Sequence, residues 1–328
     1  MKVILDWVPD HTGWDNPWIR EHPEYYARNA SGEITVPRDG QGKLTDWTDV
    51  AQLDYGNAGL RAAMLDVMQW WLREYGLDGF RVDVAGFIPN AFWSEAVPAL
   101  RASVPRPILL LAEWGDIELN RIGFDLTYGW GGYSRLKEVW GGAPAAGFLQ
   151  RVLAEQDSMP PGGMRLRFTT NHDETAWDNP AVTRFLGPAG ARAAFVAMAL
   201  LPGRPLLYNG QEVESPQRLP LFEREAVVWE QPGAAAARDF YRRVLDLART
   251  HPAFFRGNIA AMETSAPDDV IAYRRNTAMV LVNARPHEVR VTVPGARLRG
   301  TRDLLSRRPV RGDTLTLPAY GAVVLERR

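Results

Sequence analysis

Two charged side chains of opposite sign stand close together in Gly79–Phe87, at Arg81 and Asp83. The stretch follows the turn signal Asp78-Gly79 and has strand character over its first residues. Because alternate side chains of a strand share a face, Arg81 and Asp83 are expected to point the same way. A neighbouring guanidinium favours the ionised carboxylate. Taken alone, such a pair is more often a structural salt bridge than a catalytic centre.

Two further acids, Glu113 and Asp173, follow predicted strands. Glu113 lies between an apolar run and Trp114, so desolvation is expected to favour its protonated form. Asp173 stands beside His172 after another predicted strand. Two carboxylates with opposite protonation preferences are typical of a glycosidase, in which one is the nucleophile and the other the acid/base. Each acid alone is also compatible with a helix cap or a surface charge, but three such coincidences are less frequent than one site.

The elements that must position these acids alternate between strand and helix over residues 1–255. This alternation predicts βα units and a parallel sheet. Polar residues cluster where strands run into the following loops, as in a (β/α)8 TIM-type barrel. The predicted fold class is therefore α/β. The polar and aromatic stretch 9–57 is predicted to be a long loop subdomain within this catalytic barrel.

Residues 256–328 have a different pattern, with short alternating apolar runs between turns rich in Pro and Gly. Such a pattern predicts a small antiparallel β-sandwich. The predicted domains are thus a barrel at 1–255 and an all-β domain at 256–328.

Composition excludes several classes of function. The 328 residues carry 38 Lys and Arg against 39 Asp and Glu, so no basic field predicts nucleic-acid binding. Cysteine is absent, which excludes disulfides and cysteine nucleophiles. The sequence has no apolar run of about 20 residues and no signal peptide at Met1, so a soluble protein of unknown compartment is expected.

Four short motifs carry a family resemblance. They are Asp6-Trp7-Val8-Pro9-Asp10-His11, Gly79-Phe80-Arg81-Val82-Asp83, Glu113 after its apolar strand, and Asn171-His172-Asp173. In this order and spacing they resemble the conserved regions of the α-amylase superfamily (glycoside hydrolase family 13). The resemblance covers essentially the whole chain.

The resemblance implies a retaining glycosidase acting on α-1,4-linked glucans such as starch, maltodextrins or glycogen. In it, Asp83 is the nucleophile, Glu113 the general acid/base, and Asp173 orients the sugar and stabilises the transition state. Arg81 tunes Asp83, and His11 and His172 hydrogen-bond the sugar. Three tryptophans in the loop after the first strand are candidates for stacking on sugar rings: Trp14, Trp18 and Trp47. Packing of this loop against the barrel is an equally good explanation for them.

The chain departs from the family pattern in two places. Asp10 replaces the usual calcium-ligating Asn, and Gly86-Phe87 replaces the usual Lys-His after the nucleophile. No metal ligand is therefore assigned, and calcium stays an alternative at a different oxygen cluster formed by Asp15, Asn16, Asp46 and Asp49.

The first strand resembles the third barrel strand of the family, so about six strands are expected and the barrel is interpreted as truncated at its N-terminus. A homo-oligomer is a candidate cover for the exposed strand edges. Alternative functions are an α-glucanotransferase or a cyclomaltodextrinase using the same residues, and a non-catalytic glucan-binding protein.

Overall fold

The structure, a computed structural model, describes residues 1–255 and 258–327, which form two compact units. The first unit comprises Met1–Tyr128 and Met159–Met164, and the second comprises Gly129–Ser158 and the chain from Arg165 onward. The predicted domain boundary lies next to residues 256 and 257, which are outside the described residues. The division into 1–255 and 256–328 stays a prediction.

The described residues contain short and long helices in both units. The α-helices are α1 (Trp18–Glu21), α2 (Ala58–Glu74), α3 (Asn90–Ala102), α4 (Glu118–Ile122), α5 (Trp130–Trp140), α6 (Ala146–Asp157), α7 (Ala181–Arg184), α8 (Pro188–Ala199), α9 (Ala234–Thr250) and α10 (Pro252–Phe255). Single turns of 3₁₀-helix lie at Pro23–Tyr25, Ala85–Phe87 and Gln211–Val213, and a π-helical turn lies at Glu174–Asp178.

The strands fall into a parallel group and an antiparallel group. In chain order they are β1 (Leu5–Trp7), β2 (His11–Gly13), β3 (Val50–Gln52), β4 (Gly79–Val82), β5 (Leu109–Ala112), β6 (Leu126–Tyr128), β7 (Met164–Arg167), β8 (Arg204–Pro205), β9 (Ile259–Ala261), β10 (Val270–Arg275), β11 (Ala278–Asn283), β12 (Val289–Thr292), β13 (Thr301–Asp303), β14 (Thr314–Leu317) and β15 (Ala322–Arg327).

The first unit contains a parallel sheet in the order β1-β4-β5-β6. Gly79 begins β4 with φ +147°, and a Cβ there would lie 1.8 Å from the Leu109 carbonyl oxygen, so only glycine allows this close strand approach. Helix α2 packs on the sheet through Leu60, Met64, Met68 and Leu72. Its first turn is capped by Asn57, whose side chain accepts from the amides of Gly59 and Leu60.

The long stretch 9–57 is tied to this unit by short elements of its own. Strands β2 and β3 pair antiparallel, with His11 opposite Gln52. Tyr26, Ala51 and Leu53 are buried in the core that lies under α2. The stretch is therefore anchored by an apolar underside, although most of its residues are not in regular structure.

The second unit contains the parallel pair β7 and β8 and two antiparallel groups. A five-stranded sheet has the order β13-β15-β11-β10-β9, and β12 pairs with β14. The two antiparallel groups enclose a common core that includes Leu281, Val291 and Leu325. Tyr273 of β10 donates to the Ala197 carbonyl of α8 at 3.1 Å, so the antiparallel sheet is joined to the helices of the same unit.

The predicted α/β class is confirmed. Six parallel strands occur among the described residues, four in the first unit and two in the second, and an antiparallel β-sandwich follows. In the part of the chain that the structure describes, no helix combines the length and the apolar character needed to cross a membrane.

Candidate active site

Three carboxylates converge on one guanidinium at the end of β4. Arg81 Nη1 donates to Asp83 Oδ1 at 2.6 Å and to Asp6 Oδ1 at 2.8 Å. Arg81 Nη2 lies 2.8 Å from Glu113 Oε1, as an ion pair without the angle of a hydrogen bond. The structure thus brings the predicted Asp83, Glu113 and Arg81 together.

Asp6 is a member of this cluster that the sequence reasoning did not assign. It lies on β1 directly opposite Arg81 of β4, because Asp6 and Arg81 are register partners in the parallel pair. Side chains of paired residues on neighbouring strands point to the same face. The signal in the sequence was the Asp that begins the first motif, but the register that aligns it with Arg81 became visible only in the structure.

The Arg81 side chain is itself buried, with 7% of it exposed. Burial alone lowers the pKa of the guanidinium, but Tyr128, Glu113 and Asp6 outweigh burial and raise that pKa above its usual value. Arg81 Nε also lies 3.5 Å from the Tyr128 hydroxyl of β6. Arg81 therefore remains a permanent, fixed cation under the carboxylates.

Val84 follows Asp83 and has an unusual backbone. Its φ of 34° and ψ of 45° are left-handed, which is rare for a β-branched residue. In this conformation the Val84 amide donates to Glu113 Oε2 at 3.0 Å. Strained backbone of this kind is concentrated at functional sites. The turn after the predicted nucleophile thus holds the predicted acid/base.

The three carboxylates differ in exposure. The exposed fraction of the side chain is 58% for Asp6, 22% for Asp83 and 12% for Glu113. Desolvation disfavours the charged form most where burial is greatest. Of the three, Glu113 therefore bears the largest desolvation penalty, while Arg81 stabilises the charges of both Asp83 and Glu113.

A row of rings lies beside these acids. His11 contacts Trp47 edge to face at 5.5 Å, Trp47 stacks on Phe87 at 6.2 Å, and Phe87 contacts Trp114 at 5.3 Å. Gly86 makes this possible, because a Cβ at that position would lie 2.1 Å from the Trp114 ring. The Gly86-Phe87 departure from the family pattern therefore completes an aromatic wall, with Phe87 as a member that sequence reasoning did not identify.

The remaining predicted residues of the first unit have different roles. Trp14 is 40% exposed, and its Nε1 donates to the Thr48 carbonyl at 2.9 Å. This hydrogen bond holds a partly exposed indole in place. Trp18 packs on Tyr25 and against the core, which favours the packing alternative for this residue. His11 Nδ1 lies 3.3 Å from Asp10 Oδ2, and Asp10 is buried.

His172 and Asp173 belong to the second unit, where they follow β7. His172 Nε2 lies 3.5 Å from Asp173 Oδ2, and both side chains are about one-third exposed, at 36% and 30%. Asn171 is buried and its Oδ1 accepts from the Glu174 amide at 2.8 Å, which shapes the loop. Burial raises the pKa of Tyr208, and the charge of Asp173 raises it further, so Tyr208 is a neighbour that sequence reasoning missed.

Two of the residues considered for calcium binding have partners within the chain. The Asp10 carboxylate faces His11, and Asn16 Oδ1 already accepts from the Trp18 amide at 2.9 Å. Calcium requires six to eight oxygen ligands, and of the four residues of the alternative cluster Asn16 already uses its side-chain oxygen within the chain.

Comparison with known proteins gives a consistent result. Residues 39–114 match the family model described as "Alpha amylase, catalytic domain", and this match includes Asp83 and Glu113. The chain is 26% identical over 310 residues to an alpha-1,4-glucan:maltose-1-phosphate maltosyltransferase of Cereibacter sphaeroides, covering 88% of this chain and 49% of the relative. It is also 26% identical over 312 residues to the alpha-amylase MalA of Haloarcula japonica, covering 89% of this chain and 44% of the relative.

Among solved structures, the maltogenic alpha-amylase AmyB of Thermotoga neapolitana matches all of this chain and 77% of its own, with a TM-score of 0.81 and 24% identity. The chain therefore has the alpha-amylase fold, and it spans about half the length of the curated relatives that it matches. Residues 39–114 thus match the alpha-amylase catalytic domain, and most of the chain is similar to proteins of that family.

Proposed function

We propose that the protein is a retaining glycoside hydrolase that cleaves α-1,4-glucosidic bonds in starch, maltodextrins or related α-glucans. The observation that carries this proposal is the shared guanidinium, with Arg81 bonded to Asp83 while the more buried Glu113 is close to it. One ionised and one protonated carboxyl group at the same centre is what double displacement at an acetal requires.

In the first step, Asp83 attacks the anomeric carbon and Glu113 transfers its proton to the leaving glycosidic oxygen. The bond from the sugar to this oxygen breaks as the bond to Asp83 forms. Arg81 keeps Asp83 ionised before attack. A protonated, neutral Glu113 has little electrostatic attraction to Arg81. Its hydroxyl group therefore donates to the glycosidic oxygen instead.

In the second step, Glu113 is a carboxylate and takes a proton from water, which attacks the anomeric carbon and releases Asp83. The carboxylate form of Glu113 is stabilised by Arg81 and by the Val84 amide, 3.0 Å from its Oε2. These two contacts favour the carboxylate that acts as the base, whereas burial of the side chain favours the protonated acid of the first step. Two inversions give net retention at the anomeric carbon.

The other predicted residues contact the sugar in this proposal. His11 and His172 hydrogen-bond hydroxyl groups, and Asp173 orients the ring and stabilises positive charge in the transition state. Trp14 and Trp47 offer aromatic surface for the apolar face of a pyranose. The half-exposed Trp14 and the aromatic wall around Trp47 support these assignments.

The experiment that tests the proposal is Asp83→Ala with azide. The kcat of the variant on an activated aryl maltoside should be at least about 10³-fold lower than that of the parent. Azide should restore turnover, because it can attack the anomeric carbon in place of Asp83 and form a glycosyl azide of inverted configuration. Asp66→Ala, an exposed change on α2, is the control. If the parent binds maltoheptaose but does not hydrolyse it, the non-catalytic glucan-binding alternative is correct.

A second candidate function is glucan transfer, favoured by the similarity to a maltosyltransferase. The same two steps apply, but a sugar hydroxyl or phosphate in place of water attacks the glycosyl-enzyme. Incubation with maltoheptaose decides between them, since products longer than seven glucose units require transfer. Cyclodextrin opening as the dominant reaction would instead indicate a cyclomaltodextrinase.

We also infer a homo-oligomer formed through β1. Among the described strands of the first unit, β1 pairs only with β4, and it is flanked by the exposed Val3 and Val8. An open strand edge beside apolar side chains favours pairing with a second copy. Val8→Lys should shift the mass in light scattering from dimer to monomer, whereas Val228→Lys, exposed in the second unit, should not. A monomeric parent would refute the inference.

A further inference from the structure

Trp177 has a large exposed indole in a loop that the predicted function does not use. It is 68% exposed and lies in the π-helical turn Glu174–Asp178, which begins directly after Asp173. π-Helical turns are rare in proteins, and those that occur are often found at functional sites. The position invites a functional explanation because Asp173 is the residue proposed to orient the reacting sugar.

The backbone under the indole is fixed. Arg218 donates from Nε to the Ala176 carbonyl and from Nη2 to the Trp177 carbonyl, each at 2.7 Å. On the other side, Thr175 is buried and its hydroxyl is 2.8 Å from that of Thr170. The guanidinium of Arg218 therefore holds the peptide groups on both sides of Trp177 in place.

Both acidic ends of the turn are held by charged partners. Glu174 accepts from the Tyr133 hydroxyl at 2.6 Å and lies 3.1 Å from Lys137 of α5. Asp178 pairs with Arg184 of α7. The turn is thus tied down at its start, middle and end, while its largest apolar side chain is directed to solvent.

A single exposed apolar residue needs no explanation by itself. Here the distinguishing feature is the fixed backbone, since a ligand that stacks on the indole then has to order only one side chain and not the loop that carries it. A pyranose has an apolar face of C–H groups that packs on an indole, whereas its hydroxyl groups point outward to water or to polar side chains. A neutral sugar chain fits such a platform without any charged partner.

We propose that Trp177 stacks on a glucose unit beside the one held at Asp173 and thereby sets the preferred chain length. This inference rests on the proposed glucan function. It makes Trp177 a specificity-determining residue, because an extra stacked unit improves binding of longer chains and leaves the bond-breaking chemistry unchanged.

The test compares Trp177→Ala with Trp177→Tyr and with the control Trp70→Ala. Trp70 is a suitable control because it is another exposed tryptophan, 43% exposed, on α2 of the first unit. Substrates are maltoheptaose and a short aryl glucoside. Trp177→Ala should raise KM for maltoheptaose about 10-fold and change kcat/KM for the short substrate less than about 2-fold. Trp177→Tyr should recover most of the loss, and Trp70→Ala should resemble the parent.

An unchanged KM for maltoheptaose in Trp177→Ala overturns the inference, as does an equal loss on both substrates. Calorimetric binding of maltoheptaose separates this result from failure of the proposed function. A parent that binds maltoheptaose without hydrolysis, and a Trp177→Ala variant that binds it about 10-fold more weakly, would support the platform and refute the hydrolase. Equal binding by both proteins would refute the platform.

Discussion

The Val84 amide donates to Glu113 Oε2 at 3.0 Å, so the residue that follows the proposed nucleophile positions the proposed acid/base. This contact depends on the left-handed backbone of Val84, with φ at 34°. The two carboxyl groups are therefore coupled twice, through the Arg81 guanidinium and through the peptide chain between β4 and the next turn. A change in this turn is expected to affect both.

Val84→Gly should be tolerated because glycine adopts a left-handed backbone without steric penalty. Relief of about 1–2 kcal/mol of strain offsets the lost side chain and the greater freedom of the unfolded chain. The free energy of unfolding in urea should change by less than about 1 kcal/mol, and the amide contact to Glu113 should persist. Val82→Gly, in the buried centre of β4, should cost on the order of 3 kcal/mol. Equal losses in the two variants would show that Val84 is not strained.

Arg81→Met should be strongly destabilising because it leaves three carboxylates around a buried position without their cation. Loss of one partner from a buried ion pair costs about 3–5 kcal/mol. Urea unfolding at pH 7 should detect this loss, together with a fall in kcat. Arg121→Met, which breaks the exposed pair with Glu118, should cost less than about 1 kcal/mol. A small effect at Arg81 would indicate that the carboxylates are already neutral or hydrated.

Much of the first unit was predictable because strand patterns and strand ends are local properties. The strand predicted over Gly79–Val84 placed Arg81 and Asp83 on one face, and the structure has Arg81 Nη1 2.6 Å from Asp83 Oδ1, although β4 itself ends at Val82. Asp6 and Tyr128 were not predicted as neighbours of Arg81, since their contacts depend on strand register and on parallel neighbours distant in sequence. The left-handed Val84 was also unpredictable, because nothing in a Val residue indicates positive φ.

The Gly86-Phe87 pair illustrates a different limit. From the sequence it was interpreted only through what it lacks, the usual calcium-ligating pattern. In the structure, Gly86 makes room for Trp114, and Phe87 joins Trp47 to Trp114. A positive role of this kind depends on which ring lies above the glycine, which is tertiary information.

Gly86→Ala tests that role. The new methyl group would lie 2.1 Å from the Trp114 ring, so the indole or the turn after Asp83 must move. We expect a loss of about 1–3 kcal/mol in unfolding free energy and a higher KM for glucans. Gly40→Ala is the matched change, because its methyl group would meet Phe87 at an ordinary 3.8 Å. It should change stability by less than about 0.5 kcal/mol. Equal changes in stability and KM in the two variants would show that close packing of Gly86 against Trp114 is not important for the site.

Asp78 predicts a pH effect on the anchoring of the first strand. Hydrogen bonds from Lys2 Nζ at 2.7 Å and from the Val3 amide at 2.8 Å hold the pKa of the Asp78 carboxyl below its ordinary value of 3.8. A lowered pKa in the folded state adds stability above the unfolded pKa, and this stability is lost as pH falls through the folded pKa. Asp78→Asn should therefore have a lower Tm than the parent at pH 7, and the difference should shrink as the pH falls below 3.8 and through the lowered pKa of the folded state. A difference that does not depend on pH would exclude the charge as its cause.

Glu113→Gln separates acid catalysis from the rest of the mechanism. The amide keeps the size of the side chain and can contact the Val84 amide through its oxygen, but it has no proton to give to a leaving group. Hydrolysis of maltoheptaose, whose sugar leaving group needs protonation, should fall about 10³-fold or more. An aryl maltoside with an acidic phenol leaves without help, so its first step should continue and the glycosyl-enzyme should accumulate as a burst of phenol. Azide, which needs no general base, should speed the slow second step and give a product of retained configuration. Equal losses on both substrates, without a burst, would mean that Glu113 is not the acid/base and that the assignment at the end of β5 must be revised.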